Sequence, residues 1–382
     1  MSGVLHVLDR TCGWEQRIAV TQLAERASAA FPASVGCLGA PPPGFDPAFP
    51  LNTITRSPRS PLLTTPALRR HMTDHNVAIV HAWGSDALAP AAAAVASGGA
   101  GGAHTPRLVT TVFDPAVTDD HVRLIRTICT ATPTAVICAA ERVRRRLVER
   151  GVPYEHCVVV RPAVDFSAIK AVDAHALRAA LTIRPEMRWF VIPPPLPGRD
   201  GDCAALWAVL MRRYLDEPVH LTIPGTGPRI ERLKALTAVS GHHGSVTFCG
   251  DAHRFEELCV AADDLILGDI SEIPMTAAAW AMAGNTLISA PATYAISEIL
   301  ANDLNAKLFK APENWRRRAA RLAARLDHPP DAAKIRDVAR GQAYEVFSRR
   351  RFARQVEQVY TNLAENKPPA EGIGDPALVG AA

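Results

Sequence analysis

The sequence predicts an α/β protein of two domains, each built on a doubly wound parallel sheet. Short apolar runs alternate along the chain with segments whose apolar residues recur at helical spacing, which is typical of parallel strands joined by helices. The 382 residues also exceed what one core ordinarily holds, since a domain takes about 100–200 residues. Two domains therefore account for both the pattern and the length.

In the first half, an apolar run at residues 4–8 precedes apolar residues at helical spacing over 18–30. The same pattern predicts strands at 77–81, 108–112, 135–138 and 158–160, and a helix at 141–150. Residues 40–70 are rich in Pro, Thr and Ser, and residues 97–103 are nearly all Gly and Ala. Both stretches are predicted to be loops.

The second half repeats the pattern after a polar stretch that ends near Pro185. Strands are predicted at 189–192, 219–223, 246–248, 264–267 and 287–289, with mostly helical sequence from 310 to about 365. The predicted organisation is a first domain at 1–165, a linker at 166–185, a second domain at 186–340, a closing helix at 341–365 and a disordered tail at 366–382.

Composition excludes several classes of protein. A net charge of +4 is too small to indicate a nucleic-acid footprint, and no run of about 18 apolar residues predicts a membrane span. The eight cysteines are scattered without a Cys-x-x-Cys pair, which indicates a reducing compartment and no structural metal. We therefore expect a cytoplasmic protein with no metal and no cofactor.

Segments of the second half resemble, in order, the C-terminal domain of family-four glycosyltransferases. They are Ile-Pro-Gly-Thr-Gly-Pro at 223–228, Val-Thr-Phe-Cys-Gly at 246–250, Ala-Ala-Asp-Asp at 261–264, and Ser-Glu-Ile-Pro at 271–274 leading to Ala-Met-Ala at 281–283. Their order and spacing carry more weight than any single segment.

The first half resembles the same family. Gly13-Trp14-Glu15 is similar to its Gly-Gly-x-Glu loop, residues 81–84 to its His-x-His-Gly segment and residues 161–165 to its Pro-Asn-Gly-Val-Asp linker. The closing helix, with Phe347-Ser348 and Tyr360, resembles the segment that crosses back to the first domain. The resemblance covers roughly residues 3–363.

The resemblance implies two Rossmann-like domains facing across a cleft, the GT-B fold. It also implies metal-independent transfer, with retention, of a hexose from a nucleoside diphosphate sugar to a carbohydrate or lipid-linked acceptor. Catalysis of that reaction would depend mainly on positioning of the substrates and on stabilisation of the leaving diphosphate.

For the donor, the resemblance places Ser271, Glu272 and Thr276 in the binding segment, with Glu272 on the donor sugar. The other interpretation of Glu272 is a carboxylate at a helix start, where the helix dipole favours it. The family's second glutamate, which binds the ribose hydroxyls, falls on Trp280, whose indole donates one hydrogen bond and accepts none. The donor is therefore held differently or not held, and Trp280 is otherwise a core residue of its helix. One of the family's diphosphate cations falls on Pro194, which leaves Arg199 as the substitute.

Three glycines complete the predicted donor site. Gly225 and Gly227 allow close approach of backbone to a ligand, or form the turn that any strand-to-helix connection needs. Gly13 belongs either to a loop that contacts the donor phosphate or the acceptor, or to a simple turn. Asp200-Gly201-Asp202 matches a metal signature of another glycosyltransferase fold, but three residues are too short a match to predict a metal.

On the acceptor side, the family's polar residue after a strand falls on Phe113, which can do no proton chemistry. Asp114 is predicted to take over the polar contact, or to form a turn before Pro115. His81 either lines the same site or is a core histidine with satisfied hydrogen bonds.

Two functions remain open at this stage. One is an active hexosyltransferase, in which Glu272, Asp114 and His81 carry the chemistry. The other is a non-catalytic relative that binds or scaffolds a partner, because the family's residues are replaced at Phe113, Pro194 and Trp280. The arginine-rich helix at 141–150 indicates either a solvated face or, at most, peripheral contact with anionic lipid on the inner face of the membrane.

Overall fold

A computed structural model describes most of the chain. The described residues are 3–9, 12–39, 51–54, 61–98, 106–113, 117–194, 201–213, 217–241, 243–251, 253–268, 275–292, 296–310, 314–326 and 331–374. No helix within these ranges combines the length and the apolar character that a membrane span requires.

Strands and helices alternate along most of the chain. The strands are β1 (Gly3–Asp9), β2 (Ala33–Leu38), β3 (Leu51–Ile54), β4 (Val77–Trp83), β5 (Arg107–Val112), β6 (Thr134–Cys138), β7 (Cys157–Val159), β8 (Arg188–Val191), β9 (Val219–Pro224), β10 (Val246–Gly250), β11 (Asp264–Ile266), β12 (Leu287–Pro291) and β13 (Lys307–Phe309). The helices are α1 (Trp14–Glu25), α2 (Pro61–Asp74), α3 (Ser85–Gly98), α4 (Asp119–Ala131), α5 (Glu141–Glu149), α6 (Phe166–Ala171), α7 (Ala174–Ala180), α8 (Gly201–Arg213), α9 (Pro228–Ser240), α10 (Phe255–Ala261), α11 (Met275–Gly284), α12 (Trp315–Arg325), α13 (Ala332–Val346) and α14 (Arg349–Ala364).

The chain divides into two compact units. The first contains the residues up to Ala163 and returns at Arg349, whereas the second is Val164–Ser348. The return therefore falls within the predicted closing helix at 341–365, which consists of two helices, since α13 ends at Val346 and α14 begins at Arg349.

Within the described residues, the first unit has a seven-stranded sheet in the order β3-β2-β1-β4-β5-β6-β7. Its strand pairs are parallel, as between β1 and β4, where His6 lies opposite His81. The chain winds outward from β1 to β3, then crosses to β4 and winds the other way. This is the doubly wound arrangement that the alternating pattern predicts.

Helix α14 completes the core of the first unit. Its apolar residues Phe352, Val356, Val359 and Leu363 pack with residues of the central strands, among them Trp83. The helix therefore supplies part of the first unit's interior from the other end of the chain.

The segment after α14 differs from the predicted disordered tail at 366–382. The buried Asn362 side chain donates hydrogen bonds to the carbonyls of Pro369 and Glu371 at 3.1 and 2.9 Å, and Ile373 packs against the core. An amide buried without acceptors would be costly, so this polar interaction holds the chain against α14 as far as Gly374.

The described part of the second unit has a six-stranded sheet in the order β10-β9-β8-β11-β12-β13, and its strand pairs are also parallel. An apolar core formed by β8, β9, α8 and α12 lies on one face, with Phe190, Leu206, Leu221 and Leu322 among its members. On the other face, α11 is buried from Met275 to Ala283.

Two predicted irregular segments contain regular structure. Residues 40–70 include β3 and the first part of α2, and the predicted linker at 166–185 includes the short helices α6 and α7. The edge strand β3 has no alternation to reveal it, whereas α6 and α7 begin at the capping residues Asp165 and Asp173. Strand β2 was not predicted, because Ser34 and Gly36 interrupt its apolar run.

Candidate functional site

The second sheet changes direction next to β8. From β8 the chain winds to β9 and β10, and then returns to β11 on the other side of β8. In open parallel sheets, the connecting helices diverge at such a point and leave space at the carboxyl ends of the strands, where ligands bind. We call this the carboxyl edge of the second sheet; the segments that follow β8, β9 and β11 in the chain begin there.

The turn from β9 into α9 is built from two glycines with positive φ. Gly225 has φ +98° and Gly227 has φ +107°, values that side-chain-bearing residues rarely adopt. The N–H of Gly225 donates to the carbonyl of Gly250 at 2.8 Å, which ties this turn to the end of β10. The turn is therefore fixed by backbone bonding and depends on glycine for its shape.

No described side chain caps the start of helix α9. Its N-cap is Gly227, which is exposed, and no described atom lies within 4 Å of where a Cβ would stand there. Pro228 follows as the first helical residue, where its missing N–H costs nothing. The N–H groups of Arg229 and Ile230 lie in that first turn, an arrangement that accepts an anion.

An ion pair joins the starts of α8 and α9. The guanidinium of Arg229 donates to both carboxylate oxygens of Asp202, at 2.9 and 2.8 Å. Burial raises the pKa of Asp202, and Arg229 opposes that shift. Because both oxygens are engaged by Arg229, the Asp202 carboxylate is not arranged as a metal ligand. No group of three metal-binding side chains occurs among the described residues.

Helix α11 carries two buried polar groups on one face. Thr276 is 1% exposed and Trp280 is 3% exposed, and their separation of four residues places them one helical turn apart. Neither the Thr276 hydroxyl nor the Trp280 indole N–H has a hydrogen-bond partner among the described residues. Since buried polar groups in native proteins are usually satisfied, these two atoms require partners outside the described residues, such as water, a ligand or another part of the chain.

The first sheet changes direction between β1 and β4, where Asp9 is fully buried. Its Oδ2 accepts the N–H of Ala87 at 2.7 Å, in the first turn of α3. Gly84 has φ +90°, and a Cβ there would lie 2.6 Å from the same oxygen. Asp9 therefore holds the start of α3, and Gly84 leaves the space that its carboxylate needs.

The predicted loop glycine Gly13 caps α1. Its N–H donates to Oε1 of Gln16 at 2.9 Å, so that donor is already used within the helix start. Its φ is −90°, and a Cβ at this position would make only ordinary contact with Gln16. The backbone here imposes no requirement for glycine.

His81 is fully buried, and both of its ring nitrogens have partners. Nδ1 lies 2.7 Å from the hydroxyl of Tyr360, and Nε2 lies 2.8 Å from that of Thr111. Burial, reinforced by the nearby His6, holds the pKa of His81 well below its usual range. His81 is therefore a neutral histidine with satisfied hydrogen bonds in the interior of the first unit.

A second buried histidine extends this group. The indole N–H of Trp83 donates to Nδ1 of His6 at 3.1 Å, and burial lowers the pKa of His6 to about 3. The Trp83 ring stacks on His81 at 4.1 Å and lies 6.3 Å from Phe113. A column of rings thus connects the buried histidines to Phe113, which is half-buried just beyond the end of β5.

The arginine-rich helix α5 pairs much of its charge internally. Arg144 and Arg145 contact Glu141 at 2.6 and 3.1 Å, and Arg146 contacts Glu149 at 3.6 Å. Arg150 pairs with Asp119 of α4. This is the arrangement of a solvated, ion-paired helix face.

The structure places some predicted site residues and not others. Asp114, Arg199, Ser271 and Glu272 lie outside the described residues. Gly225, Gly227, Thr276 and Trp280 belong to connections and helices at the carboxyl edge of the second sheet, whereas Gly13 and His81 belong to the first unit.

Sequence reasoning missed Asp9, Thr111 and the Asp202–Arg229 pair. Asp9 ends an apolar strand and precedes a turn, which is the signal that could have identified it.

Sequence comparison with known proteins matches mainly the first of the two units. Residues 6–168 match the family model described as Glycosyltransferase Family 4. No curated protein sequence matches the chain significantly. The family-level similarity therefore falls on the first unit and the start of the second.

Solved structures match nearly the whole chain in fold. Anabaena Alr3699/HepE in complex with UDP and glucose aligns with a TM-score of 0.77 at 16% identity, covering 95% of this chain and 100% of that one. Sucrose-phosphate synthase from Thermosynechococcus elongatus gives 0.72 at 14% identity, covering 96% and 100%. WaaG, a glycosyltransferase involved in lipopolysaccharide biosynthesis, gives 0.67 at 15% identity, covering 94% and 99%.

These findings confirm the predicted fold and the predicted resemblance. The chain has the two doubly wound α/β units of GT-B glycosyltransferases, and it is similar in sequence to family-four glycosyltransferases over residues 6–168.

Proposed function

We propose that this protein transfers a hexose from a nucleoside diphosphate sugar to a carbohydrate or lipid-linked acceptor, with retention and without a metal. The observation that carries the proposal is the start of α9 beside the Gly225–Gly227 turn, which no described side chain caps or covers. A helix start of this kind suits a diphosphate, because backbone N–H groups and the helix dipole favour negative charge.

Two further features support a nucleotide-sugar donor. The unpaired hydroxyl of Thr276 lies in the first turn of α11, and the resemblance assigns that helix to the donor. UDP and glucose are the ligands named for the HepE structure of the same fold, so we propose a uridine diphosphate hexose as the first donor to test.

In this proposal, the donor is held by the second unit. Ser271 and Glu272 contact the donor sugar, and Arg199 binds the diphosphate in place of the cation missing at Pro194. A guanidinium and a helix start together stabilise the charge that develops on the leaving diphosphate, which is the main catalytic requirement of the reaction.

For the acceptor, we propose that Asp114 makes the polar contact. His81 has both ring nitrogens engaged, so its proposed part is to support the end of β4 and the ring of Trp83. Phe113, which stacks on Trp83, would offer an apolar face to a sugar ring.

Calorimetric titration with UDP and UDP-glucose tests the donor site. We expect the wild type to bind, and Arg199→Ala and Glu272→Ala to weaken binding by roughly tenfold or more each. Arg184→Ala and Glu186→Ala are matched controls, because these exposed side chains pair with each other in the same unit at 3.2 Å. Tight binding that neither site substitution changes would show that the donor binds elsewhere.

A second candidate function is a non-catalytic relative that binds or scaffolds a partner. The burial of Trp280 favours it, because this side chain stands where the family has a ribose-binding carboxylate. Losing that carboxylate and one phosphate cation removes two charge-assisted contacts of about 1.5–3 kcal/mol each, or roughly a 150- to 25,000-fold loss of affinity.

The two functions differ in one measurement. A transferase releases UDP from UDP-glucose in the presence of an acceptor extract, and Glu272→Ala abolishes that release. A scaffold protein would release none at any donor concentration, with or without weak binding of UDP.

A further inference from the structure

Three consecutive arginines follow Trp315 in the first turn of α12, and only the third is buried. Arg316 and Arg317 are exposed, whereas Arg318 is 3% exposed. Asn314 caps the helix by accepting the N–H groups of Arg316 and Arg317 at 3.0 and 3.3 Å, which fixes the rotation of the first turn. Capping therefore fixes which of the three guanidinium groups enters the interior.

The buried guanidinium contacts the backbone just beyond β11. Nη1 of Arg318 donates to the carbonyl of Gly268 at 3.1 Å. Strand pairing ends one residue earlier, where the N–H of Leu267 donates to the carbonyl of Ser289. Arg318 thus fixes the backbone at Gly268, one residue beyond the last hydrogen bond of the sheet.

This position is adjacent to the change of direction of the second sheet. β11 pairs with β8, and in the sequence Ser271 and Glu272 follow Gly268 within four residues. Moving a charged group out of water is costly, so a guanidinium buried here must be held by well-formed hydrogen bonds. Such a bond resists displacement of the carbonyl that it holds.

We infer that Arg318 is a positioning residue for the donor: it holds the end of β11 at Gly268, and thereby the origin of the segment proposed to bind the donor sugar. This inference rests on the proposed function. It assigns a part in ligand binding to α12, a helix that the sequence motifs do not include.

A second arginine provides a matched control at the other end of the same strand. Nη2 of Arg336, on α13, donates to the carbonyl of Asp263 at 3.3 Å, immediately before β11 begins. Arg318→Met and Arg336→Met therefore each remove a guanidinium-to-carbonyl bond next to one end of β11. Only Arg318→Met removes such a bond at the carboxyl edge of the second sheet.

The experiment measures the dissociation constant for UDP and the melting temperature of the full chain. We expect Arg318→Met to raise the dissociation constant by roughly tenfold or more, Arg336→Met to change it by less than about threefold, and Arg318→Lys to restore most of the binding. If Arg318→Met does not fold, Arg318→Gln replaces it, because its shorter side chain also loses the Gly268 carbonyl.

Three outcomes would overturn the inference. Unchanged UDP binding in Arg318→Met, with a wild type that binds, would overturn the inference alone. An equal loss in Arg336→Met would show that both arginines act only through stability. A wild type that binds no nucleoside diphosphate would overturn the proposed function and, with it, this inference.

Discussion

The hydroxyl of Tyr360 lies 2.7 Å from Nδ1 of His81, which joins the last helix of the chain to a central strand of the first unit. The ring nitrogen on the other side, Nε2, is bonded to Thr111 of β5. One histidine therefore connects two strands and a helix that are far apart in sequence. Because His81 has no contact with solvent, only its protein partners can satisfy the hydrogen bonds of its ring nitrogens.

Removing the Tyr360 hydroxyl should destabilise the first unit. Tyr360→Phe leaves Nδ1 of His81 buried without a partner, at a cost of about 1–3 kcal/mol. Hydrogen exchange resolved along the chain, combined with urea unfolding, would locate the loss in β4 and α14. Tyr344→Phe is the control, because Tyr344 is 49% exposed and we expect no measurable change.

Acidification should destabilise the first unit through His6. Its pKa is about 3 in the folded state and near 6.5 in the unfolded state, so below pH 6.5 only the unfolded chain takes up the proton. The contribution of neutral His6 to the free energy of unfolding is complete above pH 6.5. It is lost as the pH falls towards 3, at up to about 1.4 kcal/mol per pH unit.

The variant His6→Gln isolates this contribution, because its side-chain oxygen can accept from Trp83 but does not titrate. We expect the free energy of unfolding to fall less steeply between pH 6 and pH 4 than in the wild type. Equal slopes in the two proteins would assign the acid sensitivity to other groups.

Gly84→Ala should disturb the start of α3. The new methyl group would lie 2.6 Å from the carboxylate of Asp9, on a backbone with φ +90°, at a cost of roughly 2–5 kcal/mol. For Gly341→Ala we expect the opposite change in stability. Gly341 lies within α13, and no described atom is within 4 Å of the new Cβ. Alanine should therefore stabilise the helix by about 0.5–1 kcal/mol. Equal unfolding midpoints for the two variants would contradict both arguments.

Trp280→Phe should be tolerated by the fold. The indole N–H has no partner among the described residues, so its removal breaks no such bond, and the melting temperature should fall only by the small cost of the space that the smaller ring leaves. Trp189→Phe in the same unit leaves a similar space and also removes a hydrogen bond, from the indole to Thr222 at 2.8 Å, so it should lower the melting temperature further.

The same pair of variants probes the donor. If the nucleotide accepts a hydrogen bond from Trp280, Trp280→Phe weakens UDP binding by roughly tenfold while the protein stays folded. Unchanged binding, measured by calorimetry, would remove Trp280 from the proposed site.

The sequence predicts the fold well where local patterns decide it. Buried strands such as β5 and β6 read as apolar runs, and the glycines at 225 and 227 marked a turn that does require positive φ. Strand β3 was missed, because its pairing with β2 is a tertiary property that four residues do not encode.

The candidate site was less predictable, because its atoms meet through the topology. His81 was open to two interpretations, and only the position of Tyr360, 279 residues away in the sequence, shows that it is satisfied. Asp202 and Arg229 likewise come together only because β8 and β9 are neighbours, which places the starts of α8 and α9 side by side.

The return of α14 to the first unit has a consequence for how the chain folds during synthesis. The ribosome must make Val164–Ser348 before α14 emerges, which at about 5–20 residues per second takes roughly 10 to 40 s. During that interval, the nascent first unit lacks Phe352, Val356 and Tyr360, and the side of its core that they cover is open. Over that time, this surface is the one that a chaperone would protect.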